Sequence, residues 1–202
     1  MIHCAKHYWL VVGGLLLASC ASTPVHYYTL VAPAGQAPAV GEASLPFELL
    51  PVSIPAQVDL PQLVVREGPQ AVALLGSERW IAPLNQELRG ALSTDLAREL
   101  NSQDISGLPG NDKPTLRIKL DVRRFDSQPG HYALIEAAWS VRLLHGEQPA
   151  TLSCTSRITE QVGPGVAPLV QGHQRAVAGL AAQIATVGRA LAAGQPPNCP
   201  PG

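Results

Sequence analysis

The residues of this chain most clearly arranged for chemistry are residues 17–20, Leu-Ala-Ser-Cys, which form a lipobox. Two small residues before a cysteine fit the narrow groove of a signal peptidase, and the thiol can then receive a diacylglycerol group. The preceding apolar run, residues 10–17, follows Lys6 and is much shorter than the about 20 residues of a membrane-spanning helix. The pattern predicts a signal peptide over residues 1–19 and a lipid on Cys20. The alternative is an ordinary signal peptide with an unrelated cysteine near its cleavage site.

Lipidation of Cys20 would hold the chain on a membrane, because several acyl chains together make attachment effectively stable. Ala21 follows the cysteine, whereas Asp at that position is the usual signal for retention in the inner membrane. We therefore predict an outer-membrane lipoprotein that faces the periplasm. Residues 20–25 form a tether that spans less than about 20 Å, so the folded part is expected to lie close to the membrane surface.

Two other cysteines, Cys154 and Cys199, would enter the oxidising periplasm, where disulfides persist. Cys199 lies in a Pro-rich tail, residues 195–202, which otherwise has little reason to be ordered. Cys154 shares the apolar face of a predicted strand with Leu152 and Ile158, as a buried thiol would. The sequence leaves both interpretations open, a Cys154–Cys199 disulfide and an unpaired buried Cys154.

No other residues form a recognisable catalytic or cofactor-binding pattern. The sequence contains no G-x-S-x-G, H-E-x-x-H or P-loop motif. Of the scattered histidines His26, His131, His145 and His173, the second and third are expected in solvated turns and His173 on a helix surface. Without Lys6 the chain has 13 basic and 15 acidic residues and no run of like charge, which disfavours nucleic-acid binding. We predict a protein that is not an enzyme and that binds no cofactor or metal.

Two amphipathic helices are predicted from apolar residues at helical spacing. The first begins at Pro83, and its leucines recur every four residues up to Leu100. The second runs from Pro168 to a natural stop at Gly194, after a helix-entry turn at residues 163–165, Gly-Pro-Gly.

Between the helices, three consecutive segments show the period-two alternation of half-buried strands. The first starts near Leu116, the second ends at about Leu144 and the third ends at about Gln161. Short loops separate them, which predicts an antiparallel meander. Trp139 is in phase with the buried positions and is expected to pack in the core. Earlier segments predict a strand over residues 26–31, irregular Pro-rich strands, and a strand over residues 71–75 that ends in a turn at Gly76 and Ser77.

The order of elements predicts an α+β fold, in which a mostly antiparallel sheet with a C-terminal three-stranded meander carries both amphipathic helices in a layered sandwich. The mature chain is short enough to form one domain, which we place at residues 26–194.

Several segments resemble the PqiC/YmbA family of auxiliary lipoproteins, which serve ABC-type and MCE-type intermembrane transport systems. The resemblance lies in the lipobox followed at once by residues 27–30 (Tyr-Tyr-Thr-Leu), in residues 50–55 (Leu-Pro-Val-Ser-Ile-Pro) leading to residues 58–66, and in residues 78–84 at the start of the first helix. It covers roughly residues 17–100.

The resemblance implies a non-enzymatic subunit of a lipid transport system that contributes to envelope integrity. Its implied partner is a periplasm-spanning MCE-domain protein of the PqiB type, and relatives are expected to assemble as homo-oligomeric rings. A second hypothesis from another class is a lipoprotein that plugs or chaperones an outer-membrane β-barrel in a barrel-assembly or lipopolysaccharide-export machine.

The Pro-fixed segment from Pro55 to Arg66 is partly apolar, yet periodicity does not assign it to the core. We therefore hypothesise that it forms a partner-contact surface with the corner at Trp80, and that Asp59, Gln62, Arg66 and Trp80 contribute to it. The alternative for the prolines is an irregular edge strand, and the alternative for Trp80 is a structural plug.

Overall fold

Seven strands and two long helices make up the described part of the chain, which in this computed structural model comprises residues 23–33, 45–110, 112–146 and 150–201. In chain order the strands are β1 (His26–Tyr28), β2 (Phe47–Leu49), β3 (Gln62–Arg66), β4 (Val72–Trp80), β5 (Thr115–Gln128), β6 (Tyr132–Leu144) and β7 (Ala150–Gln161). The helices are α1 (Leu84–Leu100), between β4 and β5, and α2 (Val166–Ala192), after β7. A short 3-10 turn, Ala56–Val58, precedes β3.

The strands form two sheets, and both are mixed. The small sheet has the order β1-β4-β3 and the large sheet the order β2-β5-β6-β7. The predicted α+β class and the antiparallel β5-β6-β7 meander are confirmed. The prediction of one mostly antiparallel sheet is wrong in its details, because β1 pairs parallel to β4 and β2 parallel to β5. These pairings join distant segments, so local alternation could not reveal them.

Strand β4 runs straight through the predicted turn at Gly76 and Ser77. Val64 pairs with Leu74 but Gln62 pairs with Arg79, so β4 contains an irregular stretch with three more residues than β3. The odd number of extra residues reverses which side chains point outward, as expected for a bulged strand. Gly76 therefore marks a bulge within a strand rather than its end.

The leucines of α1 are buried at the four-residue spacing predicted for them, and Asn101 caps the end of the helix in a left-handed conformation with φ 46°. The same helix buries Glu87, whose Oε2 accepts hydrogen bonds from the Thr29 hydroxyl (2.7 Å) and the Leu30 amide (2.8 Å). These bonds fix the chain just after β1 to the first turn of α1.

Helix α2 lies against β6 and β7 and packs beside α1. It begins at Val166, two residues before the predicted Pro168, because proline is tolerated in the first turn of a helix. Gly165 precedes it at φ 93°, and Gly194 follows it at φ 65°. Both turn predictions are confirmed.

One core cluster fills the space between the helices and one face of the large sheet, with Trp139 buried as predicted and Trp80 joining from the small sheet. The opposite face of the large sheet carries exposed polar side chains, including Lys119, Arg123 and Arg157. Among the described residues, no helix combines the length and the apolar character needed to cross a membrane.

Two glycines of α2 provide a matched test of how closely this helix approaches the sheet. A Cβ on Gly172 would overlap Val162 and lie 3.0 Å from the Cβ of Ala133, whereas a Cβ on Gly179 would make an ordinary 3.5 Å contact with Ile158. We expect Gly172→Ala to lower the free energy of unfolding by about 1–2 kcal/mol through overpacking. Gly179→Ala should raise it by up to about 1 kcal/mol through helix propensity. Urea unfolding of both variants checks this, and equal effects would contradict the close approach at Gly172.

Candidate functional site

The residues of the hypothesised contact surface separate into two groups in the structure. Asp59 ends the 3-10 turn and is exposed, and Gln62 begins β3, half-buried and paired with Arg79 of β4. Arg66 and Trp80 instead turn toward the interior, where the small sheet meets the large sheet. We call that interior region the sheet junction and define it by Arg66, Trp80, Phe125, Asp126, Ser127 and His173.

Arg66 ties the two sheets together. Its Nε donates to both carboxylate oxygens of Asp126 on β5, at 3.0 and 3.1 Å, and Asp126 also accepts from Arg124 and from the Tyr132 hydroxyl at 3.2 Å. Burial by itself would raise the pKa of Asp126, but the hydrogen bonds from Arg66 and Arg124 outweigh it and hold this pKa below its ordinary value. Asp126 is therefore a stable anion that is shared by two arginines at the junction.

Trp80 is 5% exposed and stands edge-on to Phe125, with ring centroids 6.1 Å apart. It is therefore a packing residue and does not belong to an exposed surface with Asp59, in contrast to the hypothesis from the sequence. The structural-plug interpretation of Trp80 agrees with this burial.

His173 corrects a sequence prediction, because it is fully buried rather than on the helix surface. Its ring stacks on Phe125 with centroids 3.9 Å apart, and its Nε2 is 2.8 Å from the Ser127 hydroxyl. Its Nδ1 is buried and has no hydrogen-bond partner among the described residues. Desolvation lowers the pKa of His173 from 6.5 to about 3, against a smaller opposing influence of Asp126. The imidazole is therefore neutral at physiological pH.

The Ser127–His173 pair does not have the arrangement of a catalytic nucleophile and base. Ser127 is 5% exposed, so its hydroxyl is closed to substrate, and no carboxylate of the described residues orients the histidine through Nδ1. The described residues also contain no cluster of three His, Cys, Asp or Glu side chains able to hold a metal ion. The junction is built to hold two sheets in one arrangement.

Sequence reasoning missed Asp126, Ser127 and His173, although a signal was present. Apolar residues alternate regularly from Leu116 to Val122, but the next one is Phe125, out of phase by one position. The structure shows the cause, a register shift between Val122 and Arg124. Beyond this bulge β5 is covered on both faces, so consecutive residues become buried.

Removal of the central carboxylate of the sheet junction is expected to destabilise the protein. Asp126→Ala leaves Arg66 and Arg124 without their shared anion, and we expect the free energy of unfolding to fall by about 2–3 kcal/mol. This is less than for a fully buried pair, because the Arg66 side chain is 24% exposed. Glu136→Ala, which removes the exposed pair with Arg157, should cost less than about 1 kcal/mol. Similar costs in chemical denaturation would contradict the role of Asp126.

The two downstream cysteines are joined in the structure. Cys154, buried on β7, forms a disulfide with exposed Cys199 in the Pro-rich tail. Strand β7 is an edge of the large sheet, and the tail runs beside it from Gln195, near Ala150, to Cys199. The predicted lipidation site, Cys20, lies outside the described residues.

Comparison with known proteins identifies a family. The model of the family described as ABC-type transport auxiliary lipoprotein component matches residues 28–185. No curated protein matches the sequence.

Two solved structures share the fold. One is the crystal structure of an uncharacterised protein, with a TM-score of 0.58 and 19% identity over 81% of this chain and 97% of that chain. The other, a Xanthomonas campestris protein of family DUF330, has a TM-score of 0.56 and 18% identity over 84% of this chain and 96% of that chain. At these identities the likeness concerns the fold alone.

Proposed function

Because the chain belongs to the family of ABC-type transport auxiliary lipoprotein components, we propose that it is an outer-membrane-anchored, periplasm-facing subunit of an MCE-type intermembrane lipid transport system that contributes to envelope integrity. The observation that carries this proposal is the extent of the family match. Residues 28–185 run from the end of β1 into the last third of α2, so they include the sheet junction, all of α1 and most of α2.

In this proposal the protein acts by assembly rather than catalysis. The family is a class of transport auxiliary components, not of enzymes. The Ser-His pair at the junction is closed to solvent and joins α2 to β5, while the Arg66–Asp126 pair joins the small sheet to the same strand. A rigid small sheet would present its exposed residues to a partner in a fixed orientation.

The proposed partner is the periplasm-spanning MCE-domain protein of the PqiB type, with several copies of this chain assembled as a ring. Exposed Asp59 and half-buried Gln62 are the contact residues of this proposal, because they lie at the start of β3, an edge strand of the small sheet. Arg66 and Trp80 would support this edge from inside, since they bind Asp126 and pack on Phe125. Substitutions at those two positions would disturb the fold as well as binding.

The test is recovery of the partner from crosslinked membranes that contain the full-length, tagged protein. We expect Asp59→Lys combined with Gln62→Lys to reduce co-purification of the MCE-domain protein several-fold, because two added positive charges would disrupt a fitted contact. Glu67→Lys is the control, since Glu67 is also exposed but lies beyond the other end of β3.

Undiminished recovery with a folded Asp59/Gln62 variant would refute this contact surface. Recovery of an outer-membrane β-barrel in place of the MCE-domain protein would refute the transport assignment and favour the barrel-assembly hypothesis. Crosslinked species that remain monomeric for this chain would refute the ring.

A further inference from the structure

The exposed large apolar side chains of the described residues are concentrated on the small sheet. Six such side chains are more than 40% exposed, and five lie on β1, on β4 or at the ends of these strands: Val25 (41%), Tyr27 (58%), Val72 (58%), Leu74 (55%) and Ile81 (61%). The sixth, Leu108, lies in the segment after α1. A patch gathered on one sheet in this way marks an interaction surface more often than scattered apolar residues do.

Four residues at one end of this sheet share its outward face, and we call them the anchor-side patch: Val25, Tyr27, Arg79 and Ile81. Tyr27 pairs with Arg79 in the parallel register of β1 and β4, and the Ile81 amide donates to the Tyr28 carbonyl at 2.9 Å. Residues two apart on a strand point to the same face. Val25 and Ile81 therefore extend the row formed by Tyr27 and Arg79.

The patch combines apolar groups with one cation. Arg79 forms no ion pair with any described residue, and its Nε is buried without a hydrogen-bond partner. Its neighbour across the sheet on the other side is the neutral Gln62. An arginine bordered by tyrosine and aliphatic side chains suits the membrane–water interface, where apolar acyl chains lie next to anionic phosphate groups. Tyrosine is itself enriched at that depth of a bilayer.

The position of the patch close to Cys20 in the sequence points to the membrane surface as what it contacts. Cys20 is five residues before Val25, so a lipid on Cys20 would hold Val25 within about 18 Å of the membrane interface. Strand β1 is fixed to the rest of the domain, because the amide of Leu30 and the hydroxyl of Thr29, just after it, are hydrogen-bonded to Glu87 of α1. From these constraints we infer that the anchor-side patch rests directly on the lipid headgroup region, so that lipid and patch together set the orientation of the domain. This inference rests on the lipidation of Cys20 in the proposed function.

The test uses the full-length lipidated protein reconstituted in vesicles of phosphatidylethanolamine and phosphatidylglycerol whose acyl chains are brominated near the headgroup. Ile81→Trp places a fluorescent side chain in the patch, and Leu108→Trp is the matched control on an equally exposed apolar residue. Buried Trp80 and Trp139 contribute the same background to both variants. We expect the added tryptophan at position 81 to be quenched at least about twofold more than that at position 108.

Equal quenching of the two variants would overturn the inference. Tyr27→Trp provides a second probe if Ile81→Trp does not fold. If Ile81→Asp abolishes self-association of the protein in detergent, measured by analytical ultracentrifugation, the patch belongs to a contact between copies and the membrane inference fails. The quenching experiment contains no transport partner, so its failure would leave the co-purification result unaffected, and loss of co-purification would leave the quenching result unaffected.

Discussion

Replacing both cysteines, as Cys154→Ala with Cys199→Ala, is expected to lower the free energy of unfolding by about 3–4 kcal/mol. The disulfide closes a loop with a sequence separation of 45 residues that contains the whole of α2. Closing a loop of that length removes much of the conformational freedom of the unfolded chain. Urea unfolding of the purified protein measures the difference.

Reducing agent supplies the control for this prediction. The wild-type protein should lose about the same stability when reduced, whereas the double variant should not respond to reductant. A double variant as stable as the oxidised wild type would show that the bond contributes nothing. Free-thiol labelling of the unfolded wild-type protein should detect neither Cys154 nor Cys199 before reduction.

The disulfide also fastens the Pro-rich tail to the edge strand of the large sheet. Strand β7 pairs with β6 on one side only, and an unpaired edge is a site for unwanted pairing with other chains. The Pro-rich tail lies beside this edge and is fastened to it at Cys154. We therefore expect the double variant to aggregate sooner than wild type at equal degrees of unfolding.

Acidification below about pH 6.5 is expected to destabilise the protein through His173. Burial lowers the folded-state pKa to about 3, while the unfolded chain has the ordinary value of 6.5. Between these values the unfolded chain binds more protons, so stability falls as the pH falls through this window and is unaffected above it. At about 1.4 kcal/mol per pH unit, the loss from pH 7 is about 2 kcal/mol at pH 5 and about 3 kcal/mol at pH 4.

In the upper part of this pH window, the effect of His173 on stability can be separated from that of the carboxylates. Asp104, Asp126 and Glu78 have pKa values lowered from 3.8, 3.8 and 4.5, so their stabilising contributions persist above those values and are lost only as the pH falls further. Burial raises the pKa of Asp95, which acts in the opposite direction. Comparison with a variant that differs only at position 173 removes both influences.

His173→Gln is that variant, because a glutamine amide can still bond to the Ser127 hydroxyl but does not titrate. We expect it to lose some stability at pH 7, where it lacks the stack on Phe125, and to show a much flatter dependence between pH 6.5 and 5. His131→Gln is the control, since His131 is exposed in the turn before β6. An unchanged pH dependence in His173→Gln would refute the buried neutral histidine.

Much of the architecture was predictable from local sequence patterns, because each pattern reports a physical requirement of one element. The leucines of α1 recur at helical spacing and all five are buried, and the alternation after Leu116 marks a strand with one covered face. The same patterns predicted the meander and the helix stop at Gly194. The lipobox at Cys20 remains a prediction from the sequence.

Tertiary structure alone decided the pairing of distant segments and the identity of the junction residues. Parallel pairing of β1 with β4 brings together residues about 50 positions apart, and nothing in either strand specifies its neighbour. For the same reason, periodicity could not indicate that Arg66 and Trp80 have partners on β5. It also could not indicate that Phe125 stacks on His173 and helps to bury it. Local sequence determines which face of an element is apolar, but burial depends on which other element covers that face.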